Sequence, residues 1–424
     1  MTHITFPSWL TSAQSIAIVG FGREGKSTLK FLQKHFPTAR IRIIDEREDI
    51  DKKDVTDVKY MLGNDAFLGI PAVSCLFKSP GIPLKKLRIP EGTYVTSQTD
   101  LFIQLFGKQT IAVTGTKGKS TTAHVINHVL SHTGHKSLLV GNIGKPALDF
   151  VQEITDDTHI VYEMSAFQAE SLHAASHIAV FTSLFQDHLD YYNSMHEYKT
   201  AKKRLFELQT ADDVCIFCDD FPEIADLLQE CQAQKIPYSS SSSSLPINYQ
   251  PAQIIATKLF GIGEENVTDA LATVQSLPGR LEKVGTYSDI TFYDDALATI
   301  PEATMLALDM LGDDVETLIV GGHERGQNFD TLAKKIAQSS VQTLITLSPT
   351  GKRIGETVHD LADRKIHIFA ANSMEEIIHL AFDHTANGKI VLLSTAAPSF
   401  GIFKDYTDRS EQYRTWIETL SKTA

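Results

Sequence analysis

The feature that most constrains this chain is a short apolar segment that runs directly into a glycine- and lysine-rich loop. Thr110-Ile-Ala-Val-Thr114 is followed by Gly115-Thr-Lys-Gly-Lys-Ser-Thr-Thr122 and then by an amphipathic stretch, Ala123 to Ser131. Glycines let backbone amides converge on an anion, and the positive end of a helix adds to that attraction. The pattern therefore predicts a phosphate-binding corner made of a strand, a loop and a helix.

Residue types within this loop suggest individual roles. Lys119 would reach the outer phosphates, and the hydroxyl of Ser120 or Thr121 would bind magnesium. The common spacing GxxxxGK[ST] is not met, because Val113 stands where its first glycine would be. A structural corner with a chance GKS is the alternative, but the strand before the loop and the helix after it favour phosphate binding.

The length and the order of patterns predict an α/β protein of three domains. A chain of 424 residues is too long for one ordinary core. Three segments each show strands followed by helical patterns. We expect an N-terminal Rossmann-like domain over 1–107, a central P-loop ATPase-type parallel sheet over 108–277 and a C-terminal Rossmann-like domain over 278–424.

Composition excludes several classes of partner. A net charge of -13 argues against nucleic-acid binding, and no apolar run is long enough to span a membrane. The first residues lack the pattern of a secretory signal, and four cysteines favour a reducing cytoplasm. Cys215 and Cys218 are interpreted as core residues on opposite faces of a strand rather than as zinc ligands.

A second glycine-rich turn lies near the N-terminus. Gly20-Phe-Gly22-Arg-Glu-Gly25 follows a predicted strand, and Asp45 comes after the next predicted strand, Ile41 to Ile44. This spacing is typical of a dinucleotide-binding turn, so a nucleotide ligand is expected and an NAD-dependent oxidoreductase is one alternative function. A simple dehydrogenase, however, has no use for the second phosphate loop at Gly115 to Ser120.

The loop GTKGKST has the form found in Mur ligases and folylpolyglutamate synthetases, and three further stretches resemble Mur ligase motifs. Val161 to Gln168 resembles E-x-S-S-F-Q, Asp187 to Asp190 resembles DHLD, and Tyr198 to Phe206 resembles Y-x-x-x-K-x-x-[IL]. The resemblance implies that Glu163 and His188 bind metal and that Lys202 carries a carbamate bridging two magnesium ions. The alternative to this role is that Lys202 lies on a solvent-exposed basic face of a helix. Lys203 is the adjacent lysine that narrowly misses the spacing of the motif.

Motifs on both sides extend the resemblance over essentially the whole chain. Asp45 to Arg47 resembles VxDxR, Ser79 to Gly81 resembles SPGI, Gly141 to Gly144 resembles GNIG, and Gly279 to Glu282 resembles the H-R-[FL]-E linker. The implied UDP-substrate-binding residues are Gly22, Arg23, Asp45, Arg47, Ser79, Gly81 and Asn142. The implied ATP-binding residues are Gly115, Thr116, Lys117, Gly118, Lys119, Ser120, Thr121, Asp269, Arg280 and Asp295.

The third predicted domain resembles the part of the family that holds the amino acid. Asp295 to Thr299 corresponds to D-S-K-A-T, Gly321 to Phe329 to GGxDKGxDF, and Leu393 to Arg409 to the tail typical of the glutamate-adding member. The implied amino-acid-binding residues are Thr299, Arg325, Ser399 and Tyr406. The sequence departs from the family pattern at Asp269, Leu297, Arg325 and Thr395.

The resemblance implies an ATP-dependent amide ligase. Its expected substrates are ATP, D-glutamate and a UDP-linked muramoyl-alanine, its expected intermediate is an acyl phosphate, and it is expected to act as a cytoplasmic monomer. The departures leave two alternatives open: a ligase that adds a different amino acid, or a relative that binds nucleotide without catalysis. The retained Lys119, Glu163, His188 and Lys202 argue against the second.

Overall fold

The computed structural model describes residues 4–53, 55–188, 191–399 and 402–422. Every sheet in these ranges is wholly or mainly parallel, with helices in many of the connections between strands, so the predicted α/β class is confirmed. The chain divides into two compact units, one ending at Val274 and the other beginning at Gln275. Each predicted domain range contains one sheet, and the three ranges are kept as proposed domains.

The first sheet is doubly wound. Its strands are β1 (Ser15–Val19), β2 (Arg40–Asp45), β3 (Val58–Leu62), β4 (Cys75–Lys78) and β5 (Tyr94–Thr96). They pair in parallel in the order β3-β2-β1-β4-β5. The helices are α1 (Ser8–Thr11), α2 (Arg23–His35) and α3 (Gln98–Phe106). The order reverses between β1 and β4, and the crevice at such a reversal is where open α/β sheets bind ligands.

The second sheet is centred on the strand predicted to precede the phosphate loop. Its strands are β6 (Thr110–Thr114), β7 (Ser137–Gly141), β8 (His159–Glu163), β9 (Ile178–Phe181), β10 (Val214–Cys218) and β11 (Gln234–Tyr238). They are parallel in the order β11-β10-β9-β6-β8-β7. The helices are α4 (Lys119–His132), α5 (Ala166–Ala169), α6 (Met195–Glu207), α7 (Pro222–Leu227), α8 (Gln250–Ile254) and α9 (Glu264–Ala272).

The first two sheets share one hydrophobic core. A single cluster of buried residues runs from Leu10 and Phe102 on the N-terminal side to Tyr162 and Phe206 in the second sheet. A separate cluster covers the opposite face of the second sheet. Cys215 belongs to the shared cluster and Cys218 to the separate one, because side chains three residues apart on a strand point to opposite faces. The expectation of core cysteines on opposite faces is thereby confirmed.

The second unit has its own sheet and its own cores. Its strands are β12 (Glu282–Tyr287), β13 (Ile290–Asp294), β14 (Val315–Gly321), β15 (Thr343–Leu347), β16 (His367–Ala371) and β17 (Ile390–Leu393). The order is β12-β13-β17-β14-β15-β16, and only β12 runs antiparallel to its neighbour among these strands. The helices are α10 (Pro301–Leu311), α11 (Asp330–Gln338), α12 (Thr350–Leu361), α13 (Met374–His384) and α14 (Tyr406–Leu420).

Candidate active site

The phosphate loop turns sharply between β6 and α4. Gly115 and Gly118 both have positive φ, +146° and +84°, which side chains other than glycine rarely adopt. A Cβ atom on Gly115 would collide with the Thr182 hydroxyl, and one on Gly118 would lie 2.6 Å from the Asn248 amide oxygen. These two glycines are therefore required by the loop itself, which ends at the N-terminus of α4 as the sequence predicts.

Two lysine side chains converge on the loop from different elements. Nζ of Lys119 donates to the carbonyl oxygens of Gly115, at 3.0 Å, and Thr116, at 2.8 Å. Nζ of Lys202, on α6, donates to the same Gly115 carbonyl at 2.7 Å. This convergence places two lysine Nζ atoms at one carbonyl of the predicted phosphate loop.

Lys202 is buried and Lys203 is not. The Lys202 Nζ lies over the face of the Tyr198 ring, 4.7 Å from the ring centroid. Burial, followed by the charge of Lys119, lowers the pKa of Lys202 well below its usual value. Lys203 forms an exposed ion pair with Glu230, with 2.7 Å between Nζ and Oε2. Of the two adjacent lysines, only Lys202 faces the loop.

Glu163 ends β8 beside the phosphate loop, since Val113 of β6 is its register partner. Its Oε1 accepts a hydrogen bond from Nδ2 of Asn142 at 3.0 Å. Its Oε2 is buried and has no hydrogen-bond partner among the residues that the structure describes. A buried carboxylate oxygen without a partner costs free energy unless a ligand or ion satisfies it.

His188 is the other predicted metal ligand outside the phosphate loop and α6. It adopts a positive φ of 56°, and its ring packs edge-on against Phe167 at a centroid distance of 4.7 Å. Burial lowers the pKa of His188, which favours the neutral imidazole that metals require. Asp187 pairs with Lys117 at 3.4 Å. Leu189 and Asp190, the rest of the predicted DHLD motif, lie outside the described residues.

The donor set fits a hard divalent cation. Magnesium prefers oxygen ligands, and the partnerless Glu163 oxygen and the Ser120 hydroxyl near the loop are of that kind. Among the described ranges, no group of three or more His, Cys, Asp or Glu side chains is placed to hold a metal ion. The predicted metal-binding set of Ser120, Glu163, His188 and a modified Lys202 stays a prediction.

The predicted nucleotide-substrate residues line one cleft of about 550 Å³ in the first unit. The cleft lies at the reversal point of the first sheet, where β1, β2 and β4 end. Asp45 and Arg47 form a two-bond pair, with Nε donating to Oδ1 at 3.0 Å and Nη2 to Oδ2 at 2.9 Å. The cleft brings together all of the residues predicted for this substrate: Gly22, Arg23, Asp45, Arg47, Ser79, Gly81 and Asn142.

Several cleft residues were not predicted from the sequence. Ser165 and Phe167 line the cleft next to Asn142, although only Glu163 was singled out in their motif. Their position just after β8, beside the GNIG turn, is the signal that would have found them. Phe67 and Lys86 also line the cleft, and no motif marks either residue.

Two residues of the second unit that were predicted to bind ATP, Arg280 and Asp295, lie near the end of β13. Asp295 is partly buried, and it accepts hydrogen bonds from the Leu281 amide at 3.2 Å and the Ser394 hydroxyl at 2.8 Å. Burial raises the pKa of Asp295 to about 7. These bonds and the one from the Gly279 amide to Glu282, at 3.0 Å, hold the turn that carries Arg280.

The predicted amino-acid residues are only partly brought together. The Thr299 carbonyl accepts a hydrogen bond from Nε2 of Gln327 at 3.0 Å, which joins it to the loop carrying Arg325. Ser399 is buried. Arg325 and Tyr406 are exposed, and neither makes a hydrogen bond or ion pair through its side chain with the described residues. Asp269 is an exposed residue of α9 in the first unit.

Two family models match the chain. The one for the Mur ligase middle domain matches residues 113–276, and the one for the Mur ligase glutamate ligase domain matches residues 279–397. A UDP-N-acetylmuramoylalanine--D-glutamate ligase of Aquifex aeolicus is 30% identical, covering 94% of this chain and 97% of its own length. The chain belongs to the Mur ligase family. The predicted enzyme class, an ATP-dependent amide ligase, is confirmed with it.

Other Mur ligase relatives are similar over a comparable length. The UDP-N-acetylmuramoylalanine--D-glutamate ligase of Acetivibrio thermocellus is 28% identical, covering 96% of this chain and 97% of its own. The UDP-N-acetylmuramoyl-L-alanine--L-glutamate ligase of Xanthomonas oryzae is also 28% identical, covering 94% of both chains. The fold resembles that of the MurF ligase of Thermotoga maritima in complex with ADP, at a TM-score of 0.60, 13% identity and coverage of 98% and 97%.

None of the helices in the described ranges is both long enough and apolar enough to cross a membrane.

Proposed function

We propose that this chain joins D-glutamate to UDP-N-acetylmuramoyl-L-alanine with hydrolysis of ATP to ADP and phosphate, in the synthesis of peptidoglycan precursors. One observation carries the proposal. Asn142 lines the nucleotide-substrate cleft, and its Nδ2 also binds the Glu163 carboxylate at 3.0 Å beside the phosphate loop. A substrate whose nucleotide end occupies the cleft would therefore extend its other end toward the phosphates.

The proposed chemistry has two steps. An oxygen of the alanyl carboxylate attacks the γ-phosphorus of ATP, the bond between that phosphorus and the β–γ bridging oxygen breaks, and ADP leaves. The amine of glutamate then attacks the acyl phosphate carbon, loses a proton and expels phosphate. Positioned cations stabilise the charge on the transferred group. Lys119 is the residue proposed for that role, and Arg280 is proposed as an ATP-binding residue.

We propose that Ser120, Glu163, His188 and Lys202, the last as a carbamate, hold two magnesium ions. Bound magnesium would neutralise phosphate charge and orient the oxygens that react. The buried Lys202 amine supports the carbamate, because only an uncharged amine reacts with carbon dioxide. Its contact with the Gly115 carbonyl, at 2.7 Å, supports a location at the phosphates.

The amino-acid pocket is proposed for the second unit. Arg325 takes the place of a family lysine, and its planar guanidinium can hold a carboxylate through two parallel hydrogen bonds. Thr299, Ser399 and Tyr406 complete the proposed pocket, while Leu297 removes one positive charge from it. The relative named for L-glutamate makes stereochemistry the first property to test.

We also propose that the enzyme acts in the cytoplasm. All four cysteines are unpaired and buried, which supports a reducing compartment. A monomer is the proposed oligomeric state.

The decisive experiment measures phosphate release from ATP by the full-length chain with magnesium and UDP-N-acetylmuramoyl-L-alanine, adding D-glutamate, L-glutamate or other amino acids in turn. We expect release that depends on D-glutamate and a product heavier by one glutamyl residue. Preference for L-glutamate or another amino acid would contradict the named product. Absence of any release would favour a non-catalytic relative, and reduction of NAD without ATP would favour the oxidoreductase.

Lys119→Ala serves as the control for the phosphate loop. Loss of one charge-stabilising donor in a dry site is worth roughly 3 to 4 kcal/mol, so turnover should fall about a hundred- to a thousandfold. Circular dichroism would show that the variant is folded. Near-normal turnover of the folded variant would contradict the role of Lys119.

A further inference from the structure

A lysine and a glutamate form a buried ion pair between the two sheets of the first unit. Lys78, the last residue of β4, has no exposed side-chain surface, and its Nζ lies 2.7 Å from Oε1 of Glu170, just after α5. The same Nζ donates to the carbonyl oxygen of Ile82 at 3.1 Å. The same Glu170 oxygen accepts a hydrogen bond from the Tyr191 hydroxyl at 2.8 Å. The pair therefore connects the segment after β4 to the segment after β8.

A second buried contact runs in parallel with the first. Oε1 of Glu24, in the first turn of α2, accepts a hydrogen bond from Nε2 of Gln168 at 2.7 Å. Gln168 also closes a capping box with Ser165 at the start of α5. The segment of α5 is thus tied to helix α2 through Gln168 and to the end of β4 through Glu170.

An ion pair with a fully buried lysine is a poor source of net stability. The Lys78 charge loses its hydration, the Glu170 side chain is only 15% exposed, and apolar side chains of the same volume often stabilise a protein as much or more. The pair instead specifies how the two segments are placed, because its charges and hydrogen bonds are satisfied in only one relative placement of these segments. Apolar side chains at the same positions would tolerate repacking.

The two connected segments form facing walls of the nucleotide-substrate cleft. Ser79 and Gly81, which directly follow Lys78, line one wall. Ser165 and Phe167, which precede Glu170, line the other. A change in the spacing of Lys78 and Glu170 would therefore change the width of the cleft without touching the phosphate loop.

We propose that Lys78 and Glu170 are positioning residues that set the spacing of the two cleft walls and, through it, the affinity for the nucleotide-linked substrate. This inference rests on the proposed function, since it assigns that substrate to the cleft. Neither residue is assigned any contact with the reacting atoms. Their effect is on binding, which separates them from the lysines at the phosphate loop.

The test uses the full-length chain with Lys78→Met, Glu170→Leu and Glu170→Gln. Because small displacements of a positioning group can change binding and rate by large factors, we expect the KM for UDP-N-acetylmuramoyl-L-alanine to rise on the order of tenfold to a hundredfold in Lys78→Met and Glu170→Leu. The KM values for ATP and glutamate should stay at wild-type values. Glu170→Gln keeps an acceptor for Lys78 and Tyr191, so its KM should lie between those of Glu170→Leu and wild type.

Lys203→Met is the matched control, because Lys203 forms an ion pair of the same 2.7 Å length with Glu230 on the surface. All of its KM values should equal those of wild type. If a single variant fails to fold, Lys78→Met combined with Glu170→Leu removes both charges and should fold with the raised KM. An unchanged KM for the nucleotide-linked substrate in the folded variants, or equal rises for all three substrates, would overturn the proposal.

Binding of UDP alone, measured by calorimetry, separates this inference from the proposed function. Absence of turnover by the wild-type chain would refute the function. UDP affinity reduced in Lys78→Met and retained in Lys203→Met would still support the positioning role, and equal UDP affinity in both variants would refute it.

Discussion

At the scale of single residues, adjacent positions on one helix differ in chemistry because they face different surroundings. Lys202 and Lys203 both fit a basic helix face in the sequence, and the family pattern favoured Lys202. The structure buries Lys202 against the Gly115 carbonyl and leaves Lys203 in an exposed ion pair. Successive helical residues point about 100° apart, so this difference follows from which face packs on the sheet, and a single sequence does not specify that face.

The first residue-scale prediction compares these two lysines. Lys202→Ala should lose most activity, because the proposed carbamate and its bridging oxygens would be absent. Short carboxylates such as formate or acetate should restore part of it by filling the space. Lys203→Ala should retain wild-type turnover in the same phosphate-release assay. Full activity of Lys202→Ala, or equal losses in both variants, would contradict the assignment.

The second residue-scale prediction concerns Glu24, whose carboxyl is buried at the start of α2. Burial raises the pKa of Glu24 from 4.5 to about 7, although Gln168 and Lys78 oppose the shift. The folded state therefore holds the proton more tightly than the unfolded state. The stabilisation that comes from the protonated Glu24 carboxyl is complete below about pH 4.5 and is lost as the pH rises to about 7. The free energy of unfolding changes by roughly 3 kcal/mol over this range.

Glu24→Gln should flatten this pH dependence, since a neutral amide retains an acceptor for Gln168 and does not titrate. Urea unfolding between pH 5 and 8 measures the pH dependence of the free energy of unfolding. Trp9 fluorescence reports on the first unit in a Trp416→Phe background. Glu265→Gln, at an exposed position of α9, is the control and should keep the wild-type profile. An unchanged profile in Glu24→Gln would show that another group is responsible.

At the scale of elements, the buried parallel strands could be predicted and the contacts between loops could not. The apolar run at 110–114 indicated a strand because buried parallel strands are covered on both faces, and it is a strand in the structure. The hydrogen bond between Asn142 and Glu163 joins the turn after β7 to the last residue of β8, 21 residues along the chain. Nothing in the pattern of either loop specifies that contact, because it depends on how β7 and β8 pair.

The loop from Gly321 to Phe329 provides the prediction at this scale. Arg325 is exposed near Gln327, which binds the Thr299 carbonyl. A hydrogen bond to a charged group is worth roughly 1.5 to 3 kcal/mol, so Arg325→Ala should raise the KM for glutamate about ten- to a hundredfold. The KM for ATP should not change. Lys352→Ala, an exposed cation of the same unit, is the control.

Rescue distinguishes a direct contact from a disturbed loop. Arg325→Lys should recover part of the affinity for glutamate, since lysine keeps the charge but not the two-bond geometry. A KM for glutamate that is unchanged in Arg325→Ala would place the carboxylate anchor elsewhere in the second unit.

At the scale of the whole molecule, packing divides the chain in a way that the order of motifs did not. Motifs predicted three ranges, each with one sheet. The buried clusters instead unite the first two sheets, through residues such as Leu10, Phe102, Tyr162 and Phe206, and none of the clusters in the described residues crosses from Val274 to Gln275. Sequence patterns report local periodicity, whereas a shared core depends on which faces meet.

The whole-molecule prediction is that fragments follow the cores. A fragment of residues 275–424 should fold alone and unfold cooperatively, because its clusters are complete within it. Residues 1–274 should do the same. Residues 1–107 should not, since Leu10, Phe102 and Phe106 would lose the partners that bury them. Circular dichroism and proton NMR of the three fragments would decide, and a well-dispersed spectrum from 1–107 would contradict the prediction.

The uncrossed boundary at Val274 and Gln275 has a consequence for how such a ligase changes during evolution. Recombination at this one point would replace the segments proposed for the amino acid and leave every buried cluster intact. The nucleotide-substrate half offers no comparable junction, because exchange near residue 107 would cut through a shared core. Recombination of whole units would therefore change the amino acid that is added more readily than the nucleotide-linked acceptor. Chimeras of related ligases joined at this point should take their amino-acid preference from the parent that supplies the C-terminal unit.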